Sequence, residues 1–176
     1  PTLTHLALRL LILNPGVRSK PLRHLKLGQI DGDVWTVPEG DMKGQKGKAP
    51  AYRVPLCQEA QRIIALALPL ARNGYLFPNT RSGVISDMTL SRLMGRRGLE
   101  ARPHGFRTSL RTWLAETTDA PHEVAEAMLS HSTDSGVVRA YRRTDYLEQR
   151  LALTERWADY VTGGAGQVVK LVGAAK

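Results

Sequence analysis

The sequence predicts an α+β fold: a mainly α-helical domain with a small antiparallel β-sheet near its N-terminal half. Three observations carry that expectation. Val34-Trp35-Thr36-Val37 and Tyr52-Arg53-Val54 are short runs rich in β-branched and aromatic residues, with a first strand near Gln29-Ile30. From Gln58 onward the pattern turns helical. At 176 residues, 42% of them hydrophobic, the chain suits one globular domain with its own core rather than a disordered tail.

Taken in order, residues 2–13 are dense in Leu and Ile and end at Asn14-Pro15-Gly16, a strong stop and turn signal. A short helix is expected over 22–27, then the strands, with a Gly/Lys-rich connection from Glu39 to Pro50. Helices follow over 58–68, over 87–97 with Ser86 as N-cap, and over 104–116. Three more are expected over 121–129, 135–143 and 146–161. In the last, Leu147, Leu151, Thr154, Ala158 and Val161 recur at three- and four-residue spacing, which gives it one buried face. The domain is thus expected over 1–162. A Gly/Ala-rich tail over 163–176 surrounds Val168-Val169-Lys170-Leu171-Val172, either disordered or able to add as a strand to a neighbouring molecule. A start at Pro1 without Met reads as a fragment, the C-terminal domain of a longer protein.

Charge narrows the partner. The net charge is +9 and the pI near 10.1, which favours a polyanion, either nucleic acid or an acidic membrane surface. Residues 1–111 carry 18 Lys and Arg against 7 Asp and Glu, whereas residues 112–176 carry 7 against 9, so the basic face belongs to the first two thirds. Arg outnumbers Lys 18 to 7, and a planar guanidinium grips phosphate oxygens in pairs, though a GC-rich genome inflates Arg as well. The run from Leu6 to Leu13 is broken by Arg9 and is too short to span a bilayer. Cys57 stands alone, which excludes a disulfide framework or a Cys-based zinc site and suits a reducing cytoplasm.

Within that frame, His104-Gly105-Phe106-Arg107, then His131, then Tyr141 amid Arg139, Arg142 and Arg143 supply what metal-free phosphodiester cleavage needs. A phenol of pKa about 10 becomes a nucleophile when neighbouring cations favour its phenolate. His104 and Arg107 lie three apart at a helix start and share one face, able to reach one phosphate where the helix terminus adds partial positive charge. An H-x-x-R pair alone is weak, because chance supplies it often. Arg18 follows a tight turn, and Lys43 sits between the strands, where a hairpin tip would offer it to a leaving oxygen. Lys46 and Lys48 share that connection, and for two of the three a solvated charged loop is the plain alternative. His131 either hydrogen-bonds a phosphate oxygen or caps a helix. Tyr52, Tyr75, Tyr146 and Tyr160 read as half-buried aromatics with the hydroxyl at the surface, and His5 and His24 as surface residues.

His104, His122 and His131 lack an H-E-x-x-H, a C-x-x-C or a tight carboxylate cluster, so neither a metal nor any other cofactor is expected. The Gly40 to Lys48 stretch lacks phosphate-loop spacing, which leaves nucleotide triphosphate use unsupported.

From about Leu6 to Val161 the sequence resembles the catalytic domain of tyrosine recombinases, specifically phage integrases of the satellite-phage and genomic-island type. The resemblance rests on Pro103-His104-Gly105-Phe106-Arg107 through Trp113-Leu114-Ala115-Glu116, on Leu129-Ser130-His131, on Ala140-Tyr141-Arg142-Arg143-Thr144-Asp145-Tyr146-Leu147, and on Trp157-Ala158-Asp159-Tyr160. It implies that Arg18 and Arg107 clamp the scissile phosphate with His104 and His131 in support. It further implies that Lys43 protonates the 5′-oxygen and that Tyr141 forms a 3′-phosphotyrosine bond, so that rejoining needs no ATP. One departure stands out: such integrases usually place Glu three residues after the first arginine, and here that residue is Pro21.

What the resemblance implies is a site-specific integrase that inserts or excises a mobile element at double-stranded DNA attachment sites. It would work in a bacterial, nucleoid-associated cytoplasmic setting, away from membranes. The full-length protein would assemble as a homotetramer on DNA, with a directionality factor as a further partner, while the isolated domain would be monomeric. Two alternatives are a type IB topoisomerase-like nicking and closing enzyme, and a non-catalytic DNA-binding remnant suggested by Pro21.

Overall fold

The computed structural model describes residues 2–42, 50–81, 83–130 and 144–164. Helix α1 (Leu3–Leu13) starts at Thr2, whose side chain accepts from the His5 amide, and buries Leu6, Ala7, Leu10, Leu11 and Leu13. After the turn come α2 (Ser19–Arg23) and three strands, β1 (Ile30–Asp31), β2 (Val34–Val37) and β3 (Tyr52–Pro55). The sheet is antiparallel in the order β1-β2-β3, with Ile30 opposite Trp35 and Trp35 opposite Val54. Between β1 and β2 the two-residue turn Gly32-Asp33 uses a left-handed backbone at Gly32, φ +56°, the geometry that matches the twist of a tight hairpin. Trp35 and Val37 point into the core while Thr36 faces out, the alternation expected of a half-buried sheet.

Helices α3 (Gln58–Ala67), α4 (Thr89–Arg96), α5 (Gly105–Thr117), α6 (His122–Met128) and α7 (Leu147–Thr162) complete the described elements. They enclose two hydrophobic clusters. The first gathers Leu6, Leu10, Trp35, Ile63, Phe77 and Leu90 from α1, the sheet, α3 and α4 with their loops. The second gathers Leu110, Trp113, Val124, Met128, Leu153 and Trp157 from α5, α6 and α7. Helix α7 joins them: Ala158 belongs to the first, Trp157 to the second, and the Trp157 indole N–H donates to the Ile12 carbonyl at 2.8 Å.

The α+β expectation holds, with shifted boundaries. The helix expected over 22–27 begins at Ser19 instead. Pro21 lies in its first turn, where the missing N–H has no intrahelical partner to lose. The helix expected from 87 begins at Thr89. Ser86 accepts the Thr89 amide through its carbonyl at 3.1 Å, so it opens a turn rather than capping the helix by its side chain. Helix α3 stops at Ala67 because Pro69 follows in a 3-10 turn, Leu68–Leu70. Helix α7 ends at Gly163, φ +71°, a left-handed stop that suits glycine. The helix expected over 135–143 and the tail strand over 168–172 lie outside the described residues.

Candidate active site

The first arginine is placed by the turn that ends α1. Asn14 closes the helix: its backbone N–H and its side-chain amide both donate to the Leu10 carbonyl at 3.1 Å. The Val17 amide returns to the Asn14 carbonyl at 3.0 Å, and Arg18 emerges half-buried at the start of α2. Gly16 is needed here for space rather than for its backbone angles. A Cβ at that position would lie 1.8 Å from the Met128 carbonyl oxygen, so the turn rests directly on the end of α6.

Arg107 sits in the first turn of α5 and is only 7% exposed. Its guanidinium donates to the Pro15 carbonyl at 3.3 Å, to the Gly16 carbonyl, and to the Leu129 carbonyl at 2.5 Å. One buried cation thus ties the Arg18 turn to the chain just before His131. Burial holds the Arg107 guanidinium below its ordinary pKa; the charge of Arg18 pushes the same way, while Tyr52 and Glu126 oppose it. The two arginines therefore lie within electrostatic reach of each other. A phosphate between them would relieve that repulsion and supply the counter-charge.

Three further side chains frame the site. The Tyr52 hydroxyl donates to the Ala127 and Met128 carbonyls at 3.0 and 2.9 Å. That corrects the expectation of a surface hydroxyl: the end of α6 exposes carbonyls that need donors, and β3 brings one. Arg111, one turn on from Arg107, pairs with Glu126, a carboxylate only 7% exposed on α6. The sequence reading gave Tyr52 no role beyond a half-buried aromatic, Gly16 none beyond a turn, and Glu126 none at all, because their partners are remote in the chain. Arg111 did carry a signal, its i+4 spacing from Arg107.

The remaining candidates divide. His104 is solvent-exposed at the start of α5, with its carbonyl accepting the Arg107 amide at 3.1 Å. Pro21 is buried in α2. Lys43, Lys46, Lys48, His131 and Tyr141 lie outside the described residues. Their flanks are nonetheless held: Lys20 donates to the Gly40 carbonyl at 3.1 Å and lies 3.6 Å from Asp41, joining α2 to the chain just before Lys43. Elsewhere His5 is half-buried, bonded to Thr2 at 2.6 Å and to Arg97 at 2.8 Å. Among the described residues no group of three His, Cys, Asp or Glu is placed to hold a metal ion, and no helix is long and apolar enough to cross a membrane.

The family model described as the phage integrase family matches residues 2–148. Prophage integrase IntA of Escherichia coli (strain K12) is 33% identical over 146 residues, covering 80% of this chain and 34% of that protein. The integrase of Shigella phage Sf6 is 24% identical over 154 residues, 82% of this chain and 38% of that protein. The chain therefore spans little more than a third of the length of these relatives. Among solved structures, an integrase from mycobacterium phage Brujita superposes with a TM-score of 0.66 at 22% identity, covering 89% of this chain and 52% of that one. The XerH site-specific recombinase, bound to palindromic difH substrate in a post-cleavage complex, gives 0.52 at 18%, covering 90% and 45%. Both structural likenesses support the fold.

Proposed function

This chain belongs to the phage integrase family, and from that premise we propose that it is the catalytic domain of a site-specific tyrosine recombinase that cleaves and rejoins double-stranded DNA at attachment sites. The observation that carries the reading is that Arg107, from α5, bonds the Pro15 and Gly16 carbonyls of the turn that leads into Arg18, so that two arginines from distant parts of the sequence are held on one turn. Such a pair suits a phosphodiester, whose non-bridging oxygens accept charge-assisted hydrogen bonds from guanidinium groups.

In this reading the Tyr141 oxygen attacks phosphorus and forms a 3′-phosphotyrosine bond as the bond to the 5′-oxygen breaks. The leaving oxygen takes a proton from Lys43, with Lys46 and Lys48 as the other lysines of that connection able to do so. Arg18 and Arg107 neutralise the non-bridging oxygens, and His104 and His131 hydrogen-bond the phosphate and move the phenol proton. Rejoining reverses these steps, so the energy of the phosphodiester is retained and neither ATP nor a metal is required. The domain covers residues 1–162, and the segment 163–176 is a separate tail. On DNA the whole protein works as a homotetramer in the bacterial cytoplasm, and in isolation this chain is a monomer.

The test is a trapping experiment on nicked attachment-site DNA without divalent metal, run with the wild-type chain and with Tyr141→Phe. A protein–DNA adduct on a denaturing gel that disappears in Tyr141→Phe supports the covalent mechanism. DNA binding with no adduct would overturn it.

A further inference from the structure

Strand β3 carries two neighbouring side chains, Tyr52 and Arg53, that project from opposite faces. Each grips one end of the stretch between Ser130 and Thr144. Tyr52 holds the upstream end through the Ala127 and Met128 carbonyls. Arg53 holds the downstream end in a bidentate pair with Asp145, Nε to Oδ2 at 2.8 Å and Nη2 to Oδ1 at 2.7 Å. Arg150, 1% exposed on α7, joins the two grips. Its guanidinium stacks 4.8 Å from the centre of the Tyr52 ring, donates to the Asp145 carbonyl at 3.1 Å and to the Arg53 carbonyl, and lies 3.7 Å from the Asp145 carboxylate.

We propose that Tyr52, Arg53 and Asp145, bound together by Arg150, form a clasp that fixes both flanks of the stretch of sequence bearing His131 and Tyr141, and so limits the reach of the nucleophile. The proposal rests on the reading of Tyr141 as the nucleophile. Asp145 follows that tyrosine by four residues, and four peptide units span no more than about 14 Å, so anchoring Asp145 limits where the phenol can go. These are positioning residues: they touch neither phosphate nor leaving group.

A structural role and a positioning role predict different results. Arg53 and Asp145 are a partly exposed ion pair, side chains 51% and 37% exposed, a class that adds little to folding. Misplacing a nucleophile by an ångström, in contrast, can cost about 100-fold in rate. The experiment measures the rate of adduct formation on nicked attachment-site DNA, together with thermal unfolding, for the full chain. Arg53→Ala and Asp145→Ala should each slow the adduct about 10-fold without a matching fall in melting temperature. Arg53→Lys, which keeps the charge and one donor toward Asp145 while leaving the Arg150 contact intact, should recover part of that loss. In a Tyr141→Phe background, hydrogen peroxide replaces the phenol: peroxide forms the new bond to phosphorus, and the 5′-oxygen leaves with a proton. There Asp145→Ala should change the cleavage rate less than twofold. The clasp is refuted if Asp145→Ala forms adduct within twofold of wild type, or if peroxide-driven cleavage falls as far as tyrosine-driven cleavage. A wild-type chain that forms no Tyr141-dependent adduct would overturn the underlying reading as well, so the two failures are told apart.

Discussion

The two hydrophobic clusters are built differently. The first, around Leu10, Trp35 and Ile63, consists of apolar side chains from α1, the sheet, α3 and α4. The helices that build the second also bury polar side chains, the charged Arg107, Glu126 and Arg150 and the hydroxyl of Thr154, on α5, α6 and α7. Among the described residues the other buried polar side chain is Asn14, in the turn that ends α1. Burying a charge is costly unless it is paired or hydrogen-bonded, and here Arg107 and Arg150 direct their donors at backbone carbonyls of the seam. One half maintains the fold, while the other also buries two cations against backbone carbonyls, Arg107 at the turn that leads into Arg18 and Arg150 between β3 and Asp145.

Substitutions can break that contrast. The largest effect is expected from Arg107→Ala, which should lower cleavage roughly 10²- to 10³-fold, the scale for losing one preorganised charge-stabilising donor. A variant within twofold of wild type in the trapping assay would remove Arg107 from the phosphate site. Next, Leu10→Ala should cost about 2–5 kcal/mol in chemical denaturation, as expected for a buried leucine, while adduct formation by the folded fraction stays near wild type. Loss of catalysis without loss of stability would mean that the apolar half is not the passive scaffold described.

Gly16→Ala sharpens the comparison at the seam itself. Its Cβ must displace the Met128 carbonyl, so a penalty of about 1–3 kcal/mol in stability is expected, and with it a fall in cleavage because the turn carries Arg18. Retention of full activity would separate the turn from the chemistry. The smallest effect is the acid response of Asp145. Burial alone would raise its pKa, but the hydrogen bond from Arg53 and the charges of Arg150 and Arg53 outweigh it and hold the carboxyl below its usual range. A carboxyl lowered in the folded state stabilises above its unfolded pKa of about 3.9 and loses that contribution as pH falls through the lower folded value. Melting curves of wild type and Asp145→Asn should therefore differ slightly at pH 5 and draw together as the pH falls past the unfolded pKa of about 3.9 and through the lower folded value. Curves that diverge on acidification would contradict the ion pair.

Much of this was legible in the chain. Dense apolar residues ahead of Asn14-Pro15-Gly16 located α1, and spaced apolar residues located α7, since both signals are local. Helix starts shifted by a few residues at Pro21 and Ser86, where turn and helix geometry compete and only neighbouring structure decides. Within the candidate site, Arg18 and Arg107 could be singled out by residue type and company. Tyr52, by contrast, looked like any half-buried aromatic, because its partners at Ala127 and Met128 are backbone carbonyls with no signature in side-chain sequence.

By itself, then, the sequence determined the α+β class, the basic balance of the first two thirds, and the residues suited to phosphate chemistry, because periodicity, charge and functional groups are properties of short stretches. Only the tertiary structure decided that Arg107 is buried and bonded to the Gly16 turn, that Glu126 pairs with Arg111, and that β3 grips both α6 and Asp145. Those choices depend on which unsatisfied carbonyls and charges meet when the helices pack, and chain order alone does not encode that meeting in any local pattern.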